Sequence, residues 1–99
     1  MAHQVTLTWT ASTTPGVTTY NVYRGTNPPG NEGATPINAV PVAGTTYVDT
    51  AVTAGEKVDY VVTAILAGVE SIHSTEVTAT IPISQADVNP PTNLVAVAL

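Results

Sequence analysis

The fold class the sequence predicts is an all-β sandwich, and three observations predict it. The long stretches alternate apolar and polar residues with period two, or run in β-branched residues. None repeats apolar residues at the i, i+3, i+4 spacing of an amphipathic helix. Turn signals rich in Gly and Pro divide the first 82 residues into six such stretches, at the regular spacing of a sandwich.

The first stretch, "HQVTLTWTA", sets Val5, Leu7 and Trp9 against Gln4, Thr6, Thr8 and Thr10, a strand with one buried face and one threonine face. Pro15 and Gly16 in "STTPGV" break it, because they supply turn dihedrals. "TTYNVYRG" resumes with Tyr20 and Val22 on one side and ends in the turn-rich "TNPPGNEG". "TPINAVPV" is bracketed by prolines, which lack a ladder N–H, so it reads as an edge strand. "TTYVDTAV" is the next strand and turns at Gly55. "VDYVVTAIL" places Val58, Tyr60, Val62 and Ala64 on one face with Val61 opposite, the near-continuous apolarity of a central strand. After the turn "AGVES", "STEVTATIP" alternates Val77, Ala79 and Ile81 and stops at Pro82. "ISQADVN" is a polar linker, and "PPTNLVAVAL" is a further apolar strand marked by prolines.

Composition narrows the function. The chain of 99 residues is one domain. Its 2 Lys and Arg against 7 Asp and Glu, a net charge of -5, leave no basic stripe for nucleic acid or anionic lipid. No apolar run reaches the ~20 residues of a membrane-spanning helix, and the first residues lack the basic and apolar regions of a signal peptide. With 0 Cys, neither a disulfide frame nor a thiolate site is possible. Charged residues are only 9% and Thr is abundant, a surface expected outside the cell or on its exterior.

These stretches together resemble a fibronectin type III domain of bacterial type, an immunoglobulin-like sandwich with strands A, B, C, C′, E, F and G. The resemblance covers nearly the whole chain. Trp9 in "VTLTW" is similar to the core Trp of strand B, "GVTTYNVYRGT" to strand C, "TTYVDTAVTAG" to strand E, "YVVTAI" to strand F, and "AGVESIHSTEVTATIP" to the F–G turn and strand G. Val58 stands where the family usually has its corner tyrosine, so that corner hydrogen bond is expected to be absent.

The resemblance also has a displaced strand order. Family members begin with strand A, commonly P-x-N-L-x-A, whereas here the similar "PPTNLVAVAL" follows strand G. Joined on paper to "MAHQVTLTW", it separates Leu94 from Trp9 by about 14 positions, what an A strand, a turn and most of a B strand need. The expected organisation is a sandwich over 1–82 lacking its own first strand, a linker over 83–91 and a donor strand over 92–99. Strands A and G run the same way in this fold, so a short linker favours entry into a neighbouring subunit. The expected partners are therefore copies of the chain, joined head to tail into an extracellular structural filament, with Met1 beside Leu99 of a different chain. The donor residues are Leu94, Val95, Ala96, Val97, Ala98 and Leu99. The acceptor strand and core are Val5, Leu7 and Trp9. The alternative is a non-catalytic spacer or binding module of a larger secreted protein, such as a carbohydrate-active enzyme or tail fibre.

No chemical motif competes with this reading, and no cofactor, metal or catalytic residue is expected. His3 and His73 have no carboxylate or second His at metal-ligand spacing. Ser12, Ser71, Ser74 and Ser84 lie in no nucleophile elbow. "RGT" at Arg24 to Thr26 lacks the aspartate of an adhesion tripeptide, and Asp87 in "ADVNPP" brings a single carboxylate where calcium takes six to eight oxygens. Asp59 and Glu56 read as exposed partners for Lys57 or solvent; Tyr23 and Tyr47 are the candidates for an aromatic platform, but with so few aromatic residues most tyrosines are expected to serve core and strand packing.

Overall fold

A computed structural model describes residues 3–26 and 31–99. Strands β1 (His3–Thr8) and β4 (Thr46–Val52) pair antiparallel as one sheet. The second sheet has the order β3-β2-β5-β6, with β7 also on β5, built from β2 (Thr19–Thr26), β3 (Val42–Ala43), β5 (Lys57–Leu66), β6 (Val69–Glu70) and β7 (Val77–Thr80). Two strands thus face five. The core between them contains Leu7, Val22, Val52, Val58, Tyr60 and Ile81, with Val5, Trp9 and Val62 packed against it. The alternation that predicted β1, β2 and β5 puts these side chains on the inner face.

The expected strand over "TPINAVPV" is reduced to Val42 and Ala43, opposite Tyr20 and Thr19. Pro36 and Pro41 have no N–H to give a ladder. A side chain takes the place of the missing strand: Asn38 Oδ1 accepts the Val22 N–H at 2.7 Å, and the Ile37 N–H donates to the Val22 carbonyl at 2.8 Å. Asn38 is itself buried, and its Nδ2 donates to Asn21 Oδ1 and the Val40 carbonyl. Both polar groups of Val22, a fully buried residue, are satisfied in this way.

Strand β7 is shorter than its alternation suggests, for a related reason. Residues 71–76 follow the edge of β5 through two serines. The Ser71 N–H donates to the Ala64 carbonyl while Ser71 Oγ accepts the Ala64 N–H, and Ser74 repeats both bonds with Val62. Hydroxyls do here what backbone carbonyls do in a ladder. The turn before them is a two-residue hairpin at Ala67 and Gly68, both at positive φ, as the tight hairpin twist requires.

Two expectations are corrected, for Asp59 and for the linker, and the packing expected of the tyrosines is met. Asp59 is fully buried, not a solvated partner of Lys57. Tyr23 is 5% exposed with its hydroxyl donating to Glu70 Oε2, and Tyr47 packs against the core, so both serve packing and neither forms an aromatic platform. The linker is not wholly solvated either: Gln85–Asp87 forms a 3-10 turn that docks on β1 through His3 and Asp87. Met1, like the Asn27 to Gly30 part of the turn after β2, lies outside the described residues.

Candidate functional site

Tyr60, two positions beyond Val58 on β5, makes a cross-sheet contact of its own. Its hydroxyl donates to Asp49 Oδ2 on β4 at 2.6 Å, and Arg24 Nη1 on β2 reaches both oxygens of the same carboxylate at 2.8 Å. The trio ties the two-stranded sheet to the five-stranded one. Burial pushes the Asp49 pKa up, but the Tyr60 hydroxyl and the Arg24 guanidinium outweigh it, and the carboxyl lies below its usual value. The Tyr60 phenol moves the other way, raised by burial and by the carboxylate it bonds.

Beside β1 the sandwich is open. Strand β1 pairs with β4 on one edge, and among the described residues no strand pairs with its other edge. The gap is a groove of about 600 Å³ between Leu7 and Trp9 on one side and Ser71 to Val77 on the other, floored by Tyr20, Tyr60, Val62 and Ala64. Its exposure follows from sheet size: two strands cannot cover the inner face of a sheet built on four or five.

Trp9 stands at the mouth of this groove, just past the end of β1. Its ring meets Tyr20 edge to face, with centroids 5.5 Å apart. Its indole Nε1 is buried and has no hydrogen-bond partner among the described residues. Ile72 and Val77, 90% and 52% exposed, form an apolar opposite rim.

The acceptor residues predicted from sequence, Val5, Leu7 and Trp9, therefore sit together at the groove and its core. The donor residues do not join them within the one chain. Residues 88–99 form no strand, and Leu94, Val95, Val97 and Leu99 are at least three-quarters exposed. The radius of gyration is 19.2 Å, against about 13 Å for a compact chain of this size, because this segment projects from the domain.

Two sheets of these orders, with a core of tryptophan, tyrosine and branched aliphatic residues, define an immunoglobulin-like β-sandwich. No family model matches the chain, and no curated protein sequence matches it. Among solved structures it is similar to a Fn3-like protein from Clostridium thermocellum, at 39% identity, covering 83% of this chain and 80% of that one with a TM-score of 0.67. The chain belongs to the fibronectin type III-like family.

Sequence reasoning passed over one further cluster. Glu32, Asp59 and Glu76 bring their carboxylates together on the outer face of the large sheet, within 4.8 Å of one another. The available signal was in "VDYVV": Val61 opposite the Tyr60 face implies that both faces of β5 are covered, which buries Asp59 as well.

Proposed function

We propose that this chain is a non-catalytic, extracellular structural subunit whose residues 92–99 complete the sandwich of another copy, giving a head-to-tail filament. The observation that carries the reading is the apolar groove beside the unpaired edge of β1. A strand entering there pairs with β1, and β-augmentation of this kind satisfies backbone groups and apolar surface together. Leu94, Ala96 and Ala98, which share one face of an extended strand, are the side chains available to the groove, Leu94 contributing about 1.5 to 3 kcal/mol on full burial. A carbonyl of the added strand also offers an acceptor to Trp9 Nε1.

Geometry favours a neighbour over the chain's own groove. Asp87 is held at His3, the beginning of β1. An antiparallel strand must start at the far end of β1, about 17 to 20 Å away for six residues. The five steps from Asp87 to Thr92 reach at most about 18 Å when fully extended, which leaves no length to turn back onto the edge of β1. A heterologous contact between copies that does not close into a ring propagates.

The test compares the full chain with one lacking 92–99 by light scattering and electron microscopy. The full chain is expected to polymerise and the shortened chain to stay monomeric, with an added peptide of sequence "PPTNLVAVAL" binding the shortened chain without restoring filaments. Leu94→Asp, which forces a carboxylate into an apolar site, is expected to block assembly too. Filaments from the shortened chain overturn the reading. A full chain that is monomeric at all concentrations, with 92–99 unprotected from hydrogen exchange, supports a spacer module instead.

A further inference from the structure

We propose that Glu32, Asp59 and Glu76 form a binding site for a calcium ion on the outer face of the large sheet. The three carboxylates come from separate parts of the chain. Asp59 is central on β5, opposite Gly25 of β2 and Thr78 of β7. Glu76 immediately precedes β7. Glu32 arrives because the backbone at Asn31 and Glu32 crosses directly over Gly25, so closely that a Cβ there would lie 2.5 Å from Asn31 C and Glu32 N. Gly25 thus leaves the space through which Glu32 approaches Asp59.

The independent indication of a ligand is Asp59 itself. It is 0% exposed, and Thr78 Oγ1 donates to its Oδ1, yet Oδ2 has no hydrogen-bond partner. Glu32 Oε2 is likewise buried without one. A buried carboxylate oxygen with neither proton donor nor countercharge is strongly disfavoured. Among the described residues no Lys or Arg pairs with Asp59, and Arg24 is committed to Asp49. The hydrogen bond that the protonated Glu32 carboxyl donates to Glu76, with burial, also raises the pKa of Glu32, as expected where carboxyls crowd without a cation.

The donor set selects the ion. All three donors are carboxylate oxygens, which suit a hard cation, and the site offers no His or Cys for zinc. Calcium takes six to eight oxygens in flexible geometry at about 2.3 to 2.6 Å, so three carboxylates and water can complete its shell, whereas magnesium demands a near-ideal octahedron at about 2.0 to 2.1 Å and gives up its water reluctantly.

The test is isothermal titration of the full chain with CaCl2 and with MgCl2, alongside thermal melting in calcium and in EDTA. One calcium per chain is expected, with a Tm at least about 5 °C higher in saturating calcium than in EDTA, and weaker binding of magnesium. Glu32→Gln and Glu76→Gln are expected to weaken calcium at least about tenfold and to shrink the Tm shift, while Glu56→Gln, away from the cluster, leaves both unchanged. If Asp59→Asn does not fold, the two glutamine variants decide the matter. Equal Tm in calcium and EDTA with no binding heat overturns the proposal, as does magnesium binding as tightly as calcium or Glu56→Gln weakening binding as much as Glu76→Gln.

Discussion

His3 Nε2 and Asp87 Oδ2 lie 2.9 Å apart although 84 positions separate them in the chain. The bond joins the first described residue of β1 to the turn that follows the sandwich, and it sets the point from which residues 88–99 depart. Both side chains are largely buried in the contact, 12% and 8% exposed. A polar linker has become a tether.

Breaking the tether is expected to change where the tail goes. Asp87→Ala frees the whole of 83–91, whose nine residues reach about 30 Å when extended, enough to span the length of β1. If assembly proceeds by strand exchange between copies, the variant gains a population of closed monomers at the expense of polymer. Light scattering across a concentration series reads this directly, and an unchanged polymer fraction removes the tether from the mechanism.

Acid acts on the same contact. The Ser84 N–H, opposed by burial and assisted by His3, holds the Asp87 carboxyl down to about 2, below its ordinary 3.8. A depressed carboxyl stabilises the docked linker fully above its unfolded value and loses that contribution as pH falls through the folded one. Docking is therefore expected to be complete above about pH 4 and released toward pH 2. Hydrogen exchange of residues 84–88 measured across that window checks it.

Asn38→Ala is expected to destabilise the domain by about 1 to 3 kcal/mol, because it leaves the Val22 N–H buried without an acceptor. Asn38→Asp keeps an acceptor at Oδ but gives up both Nδ2 bonds and buries a charge, so it is expected to be no better than alanine. Urea denaturation with an unchanged m-value measures both.

What the sequence made legible follows from which interactions are local. Period two placed Val5, Leu7, Val22, Val58 and Tyr60 in the core because alternation alone decides which face a strand residue takes. The same rule, applied to both faces of β5, would have buried Asp59; a lone acidic residue was read as solvated because its partners, Glu32 and Glu76, lie far away in sequence. Asn38, Ser71 and Ser74 were illegible for a different reason. Their side chains imitate a neighbouring strand, and nothing in a composition of Asn and Ser distinguishes that use from an ordinary loop. The groove follows from two strands set against five, a count that no local pattern makes.

The Arg24–Asp49–Tyr60 trio predicts a graded pair of losses. Tyr60→Phe removes one donor and leaves the guanidinium, for about 1 to 2 kcal/mol. Arg24→Ala strips the countercharge from a carboxylate that is 4% exposed, for about 2 to 3 kcal/mol. Because the Asp49 pKa is lowered on folding, its contribution is present above the ordinary carboxyl range and lost as pH falls below it. Wild-type stability is thus expected to drop below about pH 4 more steeply than that of Arg24→Ala, in denaturant titrations at pH 7 and pH 3.

Gly25→Ala separates two opposite expectations. Gly25 is the next-to-last residue of β2 and has no positive φ, so on backbone entropy alone an alanine would stabilise the protein by about 0.5 to 1 kcal/mol. The space argues the other way. An added Cβ would meet Asn31 C and Glu32 N at 2.5 Å, and these are backbone atoms that no rotamer change can move aside. The segment at Asn31 and Glu32 must lift from the sheet, uncovering Asp59 and carrying the Glu32 carboxylate away from it, and overpacking of this kind costs about 1 to 3 kcal/mol. The substitution is therefore expected to destabilise, with faster hydrogen exchange at Glu32 and at Asp59 while the core residues Val22 and Tyr60 keep their protection. A gain in stability from Gly25→Ala would mean that the segment does not lie on β2, and Glu32 would then have no route to the buried carboxylate.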